Sequence, residues 1–252
     1  MSDPSEFYLG YADKPPAPVR QWLQRCVPLV LAVAGFSLGA FASAQQPFSD
    51  ATFAFGDTTT LTGRYIADPY PALLIYNTPA DVSGTVEPSR VHLVGQGKFG
   101  AQLNIEPNTF VSVSGTLIAR EQQSVLEVID DSVATIAAPD NTATPTRHAL
   151  GAVSLRGEIV DSKCHLGVMK PGEGTAHRAC AIRCISGGLP PMLVTRNDDG
   201  HVDYILMSQH DGSVFDRSLL AFVGKPVQVS GMLERRNGAL YLDINNNGIN
   251  RL

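Results

Sequence analysis

The sequence predicts a mainly β chain: two small OB-like β-barrels in tandem, the second with a Cys/His-containing helical insertion, preceded by one transmembrane helix. Three observations predict this. Residues 26–44 form an uncharged apolar run. The rest of the chain shows short stretches of period-2 alternation broken by turn residues. Residues 51–134 can also be laid over residues 151–252.

Composition agrees. The 252 residues are 44% hydrophobic and 17% charged, with 23 Gly and 17 Pro, which suits a turn-rich β protein better than a helical bundle. The net charge of −5 argues against a nucleic-acid partner, because phosphate binding needs concentrated positive charge. The longest Lys/Arg run is Arg235-Arg236, so no basic arm offsets that balance.

Residues 1–25 are polar, with Pro15, Pro16 and Pro18, and read as a cytoplasmic segment without a core of its own. Arg20 and Arg25 precede the apolar run, so positive charge lies on its N-terminal side. At 1.5 Å per residue, residues 26–44 cross most of a bilayer core of about 30 Å. The positive flank orients the N-terminus to the cytoplasm. Ala42-Ser43-Ala44 before Gln45 has the form of a signal-peptidase site, so cleavage there competes with an uncleaved anchor. The long leader with Asp3, Glu6 and Asp13 favours the anchor. On either reading the C-terminal domains face an oxidising compartment, and the anchor reading predicts a single-pass protein of a bacterial inner membrane with a periplasmic body.

The repeat defines the domains. Phe110-Val111-Ser112-Val113-Ser114-Gly115-Thr116-Leu117 overlays Pro226-Val227-Gln228-Val229-Ser230-Gly231-Met232-Leu233. The match continues without a gap to Val125-Leu126-Glu127-Val128 over Tyr241-Leu242-Asp243-Ile244. Leu61-Thr62-Gly63 and Ile66-Ala67-Asp68 match Leu155-Arg156-Gly157 and Ile159-Val160-Asp161, and His92–Gln96 matches Ile205–Gln209. Candidate strands in the first copy are 60–67, 90–94, 109–120 and 125–129. In the second they are 154–160, 191–195, 204–208, 227–236 and 239–244, with Asn237-Gly238 as a two-residue hairpin turn. About five strands per copy fit a Greek-key barrel, which closes on itself and so removes exposed edges. Residues 135–150, with Pro139, Asn141 and Pro145, read as the linker.

The second copy carries about twenty additional residues after its first strand, an insertion that costs little entropy in a barrel loop. The inserted segment 164–188 holds Cys164, Cys180 and Cys184, with His165 and His177. Gly172-Glu173-Gly174 reads as a turn, Thr175 as the cap of a helix from about 176 to 185, and Gly187-Gly188 as its end, with Pro190-Pro191 preventing resumption. On that helix His177, Cys180 and Cys184 share one face. Arg178 and Arg183 are expected to face solvent or an acidic partner.

Three chemistries compete for this cluster. A disulfide from Cys164 to Cys180 or Cys184 is the default outside the cytoplasm, and a loop of this length would contribute roughly 3 kcal/mol. It leaves one cysteine over. Cys164, His177, Cys180 and Cys184 also form a Cys₃His set suited to Zn or Cu, with Met169 and His165 in reserve. A redox thiol pair fits less well, because Cys180 and Cys184 are not spaced as Cys-x-x-Cys.

Two resemblances bear on this. Glu6-Phe7-Tyr8-Leu9-Gly10-Tyr11 with Lys14-Pro15-Pro16 looks like the leaders of single-span subunits in bacterial membrane redox complexes. Gly157, Asp161, Cys164, His177, Cys180, Cys184 and Gly187-Gly188, over residues 155–245, resemble largely uncharacterised bacterial exported OB-like domains with a Cys/His insertion. The second resemblance implies a fold and no activity.

Other motifs carry less. His201, His210 and Asp211 lie near turns. Gly95-Gln96-Gly97-Lys98 does not open a helix, which speaks against a phosphate loop. Asn245-Asn246-Asn247-Gly248 reads as a polar terminal turn lacking calcium-binding carboxylates, and Asp130-Asp131 as a solvated strand end. No catalytic constellation stands out. The sequence-level expectation is an accessory or structural subunit, anchored in the membrane, that docks on a protein partner within a respiratory or redox complex. The alternatives are a periplasmic protein that binds or delivers Zn or Cu, and an OB-fold ligand-binding module using Tyr65, Tyr70 and Tyr76.

Overall fold

The computed structural model describes residues 15–45, 50–76, 88–139, 145–197, 199–209 and 215–252, with the backbone alone for 245–247. The leader motif before Lys14, and His210 and Asp211, lie outside these. The chain divides into two units, Met1–Phe48 and Ser49–Leu252.

In the first unit helix α1 spans Ala17–Ala44. It begins earlier than the apolar run, because Pro18 sits in its first turn, where the missing N–H costs nothing. Its 28 residues give a length of about 42 Å. Leu29, Val30, Leu31, Phe36, Leu38 and Phe41 all stand exposed. The helix is long and apolar enough to cross a membrane.

The second unit is built of strands. β1 (Thr52–Phe53), β2 (Thr59–Ile66), β3 (Ala72–Ile75), β4 (Ser89–Val94), β5 (Phe110–Arg120), β6 (Gln123–Val128) and β7 (Ala134–Thr135) form one sheet. Its order is β1-β5-β2-β3-β4-β6, with β7 on β5 and a further β5–β6 pairing. β8 (Arg147–Asp161), β9 (Pro191–Arg196), β10 (Val202–Gln209), β11 (Pro226–Arg236) and β12 (Ala239–Arg251) close a barrel in the order β10-β12-β11-β8-β9. Each sheet contains one parallel pair, β4 with β6 and β10 with β12.

The alternation that marks these strands is realised in burial. Along β5, Val111 and Val113 are fully buried and Ser112 and Ser114 are only partly so. Gly115 and Gly231, which align in the overlay, stand where a Cβ would lie 2.4 Å from the carbonyl oxygen of Glu127 or Asp243 on the neighbouring strand. Asn237-Gly238 adopts positive φ at both positions and turns β11 into β12.

Three expectations need correction. β3 was not anticipated, since Ala72–Ile75 is a short apolar run with no alternation to mark it. β8 begins at Arg147, inside the stretch read as linker, because Arg147–Ala149 pair with Glu234–Arg236. Asn245–Gly248 are not a terminal turn: β12 continues to Arg251, and its register against β11 shifts there, from Gly231↔Ile244 to Val229↔Ile249. The polar residues occupy a bulge within the strand.

The two sheets share a core. Val94, Ile118 and Val125 pack with Val160, Leu166, Leu189, Met192, Leu206 and Tyr241. Tyr70 donates its hydroxyl hydrogen to the Met207 carbonyl and accepts from Phe215 N–H, so it is an interface residue, and Tyr65 is core. Lys163, 3% exposed, makes the strongest polar tie. Its ammonium donates to the carbonyls of Gly95 (2.9 Å) and Gly97 (2.8 Å) and to Glu127 Oε1 (2.6 Å). His92 Nε2 lies 3.0 Å from the Tyr241 hydroxyl, which Arg90 also engages.

Two predictions follow from this interface. Lys163→Met leaves Glu127 and two carbonyls without their donor, and breaking such a buried pair costs about 3–5 kcal/mol. Urea unfolding of the full chain in detergent should show this loss, and a Lys163→Met, Glu127→Met double variant should recover part of it. Burial, reinforced by the Arg90 charge, holds His92 well below the usual imidazole range. The unfolded chain therefore takes up a proton below about pH 6.5 that the folded chain refuses, so this contribution is complete above that pH and lost as the pH falls. Stability should decline by up to about 1.4 kcal/mol per pH unit below pH 6.5. A His92→Gln variant should show a shallower pH slope whatever its absolute stability.

Candidate functional site

The site lies in the insertion between β8 and β9, residues 162–190, where the first sheet has only residues 67–71 between β2 and β3. The chain leaves β8 at Asp161 and makes a wide helical turn over Cys164–Val168. It then crosses to helix α2, Gly174–Ser186. The carboxylate of Asp161, fully buried, organises the exit from β8. Oδ1 accepts the backbone N–H of Cys164 at 2.8 Å, and Oδ2 faces His177 Nε2 at 3.0 Å. One side chain thus fixes the start of the turn and the first turn of the helix.

Helix α2 starts at Gly174, two residues earlier than a Thr175 cap would place it. Thr175 makes no cap bond: the N-terminus is served from β8, where Glu158 Oε1 accepts the Gly174 N–H at 2.5 Å. The predicted face is buried, with His177, Ala181, Cys184 and Ile185 inward and Cys180 half-buried at its margin. Arg183 is exposed as expected. Arg178 is not: it donates to the carbonyls of Val223 and Ala221 on the turn Arg217–Phe222.

The helix ends at Gly187-Gly188, and the reason is more specific than helix termination. The loop after β4 lies directly against this end. Gly100 N–H donates to the Gly187 carbonyl at 3.0 Å, and a Cβ on Gly187 would come within 2.0 Å of the Lys98 carbonyl oxygen. Gly188 also adopts φ +98°. This approach delivers Lys98 to the thiols.

Three sulfurs converge. Cys164 Sγ is 4.0 Å from Cys180 Sγ and 3.9 Å from Cys184 Sγ, and all three lie within 4.8 Å of one another. All three are free thiols, and the distances do not single out Cys180 or Cys184 as the bonding partner of Cys164. Lys98 Nζ donates to Cys180 Sγ at 2.7 Å and lies 4.0 Å from Cys184 Sγ. The contact with Cys184, then burial, pushes the Cys164 thiol up, while the same contact lowers Cys184 with help from the Lys98 charge.

The expected Cys₃His set is thereby resolved into two overlapping groups. Cys164, Cys180 and Cys184 form one, and Asp161, Cys164 and His177 form the other. His165 belongs to neither. Its nitrogens face Arg120 (3.1 Å) and the Gly172 carbonyl (3.4 Å), and burial followed by the Arg120 charge pushes its pKa down to about 4. Met169 is 44% exposed. Sequence reasoning missed Lys98 and gave Asp161 and Lys163 no role. Lys98 sits in the Gly-rich segment that had been set aside as a phosphate loop, and nothing local ties it to cysteines more than eighty residues away.

Neither the protein-family models nor the curated proteins offer a match to this chain.

The contact at the helix end is testable. Gly187→Ala drives its Cβ into the Lys98 backbone carbonyl, and overpacking of this kind costs about 1–3 kcal/mol. Chemical denaturation of the full chain should register that loss. Gly39→Ala, where a Cβ meets nothing within 4 Å, should leave the transition unchanged.

Proposed function

We propose that Cys164, Cys180 and Cys184 together bind one thiophilic metal ion, zinc or copper, and that the chain is a membrane-anchored metal-binding protein. The observation that carries this is the spacing of the sulfurs, 3.9 and 4.0 Å from Cys164 to its two partners. An ion about 2.3 Å from each of three thiolates sets them roughly 3.8–4.0 Å apart. A disulfide requires about 2.05 Å. The donors come from two rigid elements joined through Asp161, the arrangement expected of a metal site whose ligands are oriented by buried partners.

The barrels are read as OB-like domains in tandem. In support, β2-β3-β4-β6-β5 and β8-β9-β10-β12-β11 follow one succession of pairings, each with a parallel pair between its third and fourth members. The body belongs in a periplasm on this reading, with α1 as a single span and the N-terminus in the cytoplasm, following the positive flank of Arg20 and Arg25. A second role, as an accessory subunit docked on a membrane redox complex, draws on the resemblance of the leader Glu6–Tyr11 with Lys14-Pro15-Pro16 and on a helix able to span the bilayer. That role is tested by whether a haem-bearing or other cofactor-bearing partner co-purifies in detergent.

Metal analysis of the full chain purified in detergent under reducing conditions tests the main reading. About one equivalent of zinc or copper is expected, falling to a trace in Cys180→Ser, since losing one of three ligands removes most of the affinity. A metal-free protein whose thiol count shows Cys164 already bonded to a neighbour would refute it.

A further inference from the structure

Building on the metal reading above, we infer that the resident ion is copper(I) in a three-coordinate thiolate site, and that Lys98 covers its one open side. The argument begins with the fourth ligand that zinc would need. Structural zinc sites are almost always four-coordinate and tetrahedral. Here the side chains that could complete the set are committed elsewhere. Both oxygens of Asp161 are engaged, one by the Cys164 N–H and one by His177. His177 joins the sulfurs only through Cys164, the member common to both groups. His165 is turned to Arg120 and Gly172, and Met169 is largely solvent-facing.

The remaining direction is taken by Lys98. An ammonium group has no lone pair and cannot be a ligand, and at 2.7 Å from Cys180 Sγ it stands at the exposed edge of the trio, the side from which water has access. Three thiolates and, among the described residues, no free fourth donor suit copper(I), which soft sulfur ligands select. Charge points the same way for Lys98. Three thiolates around a monovalent ion leave a net negative centre, and the ammonium beside Cys180 and Cys184 offsets part of it.

Burial gives the site a direction. Cys164 is 4% exposed and Cys184 0%, while Cys180 is half-buried and Lys98 lies at the surface. Copper(I) therefore enters and leaves past Cys180, and Lys98 stands over that route as a positioning residue. Binding displaces whatever protons the thiols carry, and no electron transfer is involved.

The test uses the full chain in detergent, reduced and kept anaerobic. Copper(I) is supplied buffered by bathocuproine disulfonate, and zinc(II) against a chromophoric chelator. One copper(I) per chain is expected, displacing any zinc completely, with an X-ray absorption shell of three sulfurs and no nitrogen. Lys98→Met should release copper(I) to bathocuproine about tenfold faster, the scale of effect seen for groups that support metal ligands. Lys98→Arg should restore slow release. Lys98→Gln serves as a second neutral variant, and circular dichroism confirms that each is folded. Zinc held against copper(I), or a four-donor shell, would overturn the copper inference and leave the metal reading standing. Binding of neither ion would overturn both. Release at the unaltered rate in both neutral variants would remove the role assigned to Lys98.

Discussion

The buried ammonium of Lys163 is the contact on which the site depends. It sits two residues past the end of β8 at Asp161, yet all of its acceptors belong to the first sheet and its loop: the Gly95 and Gly97 carbonyls and the Glu127 carboxylate. A charge this far from water is tolerated only when its donors are satisfied. Its effect is to hold the loop after β4 in one place. The next residues of that loop then reach the helix end, with Gly100 bonded to Gly187 and Lys98 to Cys180.

A second buried charge does the same work from the other side. Asp161 binds the turn through Cys164 and the helix through His177, so the sulfur of Cys164 and the face of α2 share a reference point. Asp161-Ser162-Lys163-Cys164 thus alternates duties over four residues. Asp161 fixes the insertion to the barrel, Lys163 fixes it to the neighbouring sheet, and Cys164 presents the sulfur between them. The apolar shell of Val94, Ile118, Val160, Leu166 and Leu189 keeps this region dry and strengthens both electrostatic ties.

Much of this was legible in the sequence where the signal is local or repeated. Period-2 alternation marked most strands, and the gapless overlay of residues 110–128 on 226–244 placed β5 and β6 opposite β11 and β12. The insertion, its helix and its terminating glycines followed from composition and spacing. What escaped was set by tertiary contact. β3 lacks alternation, the cap of α2 comes from Glu158 on a strand, and Arg178 finds carbonyls rather than solvent. The cysteines were visible, but their arrangement as a convergent trio, with His177 withdrawn to Asp161, depends on a carboxylate whose partners no spacing rule reveals. Lys98 was the least accessible, because its role exists only once two sheets are packed.

The approach of the loop after β4 to Gly187 has a consequence for how the chain can be divided. Residues 151–252 contain every cysteine of the cluster, and by sequence they look like a self-sufficient module. Cut there, the module would keep its sulfurs but lose the acceptors of Lys163, the ammonium beside Cys180 and the wall that covers the helix end. The first sheet, which contributes no ligand among the described residues, is in this sense the outer half of the barrel's site. The smallest working piece of this protein is the pair.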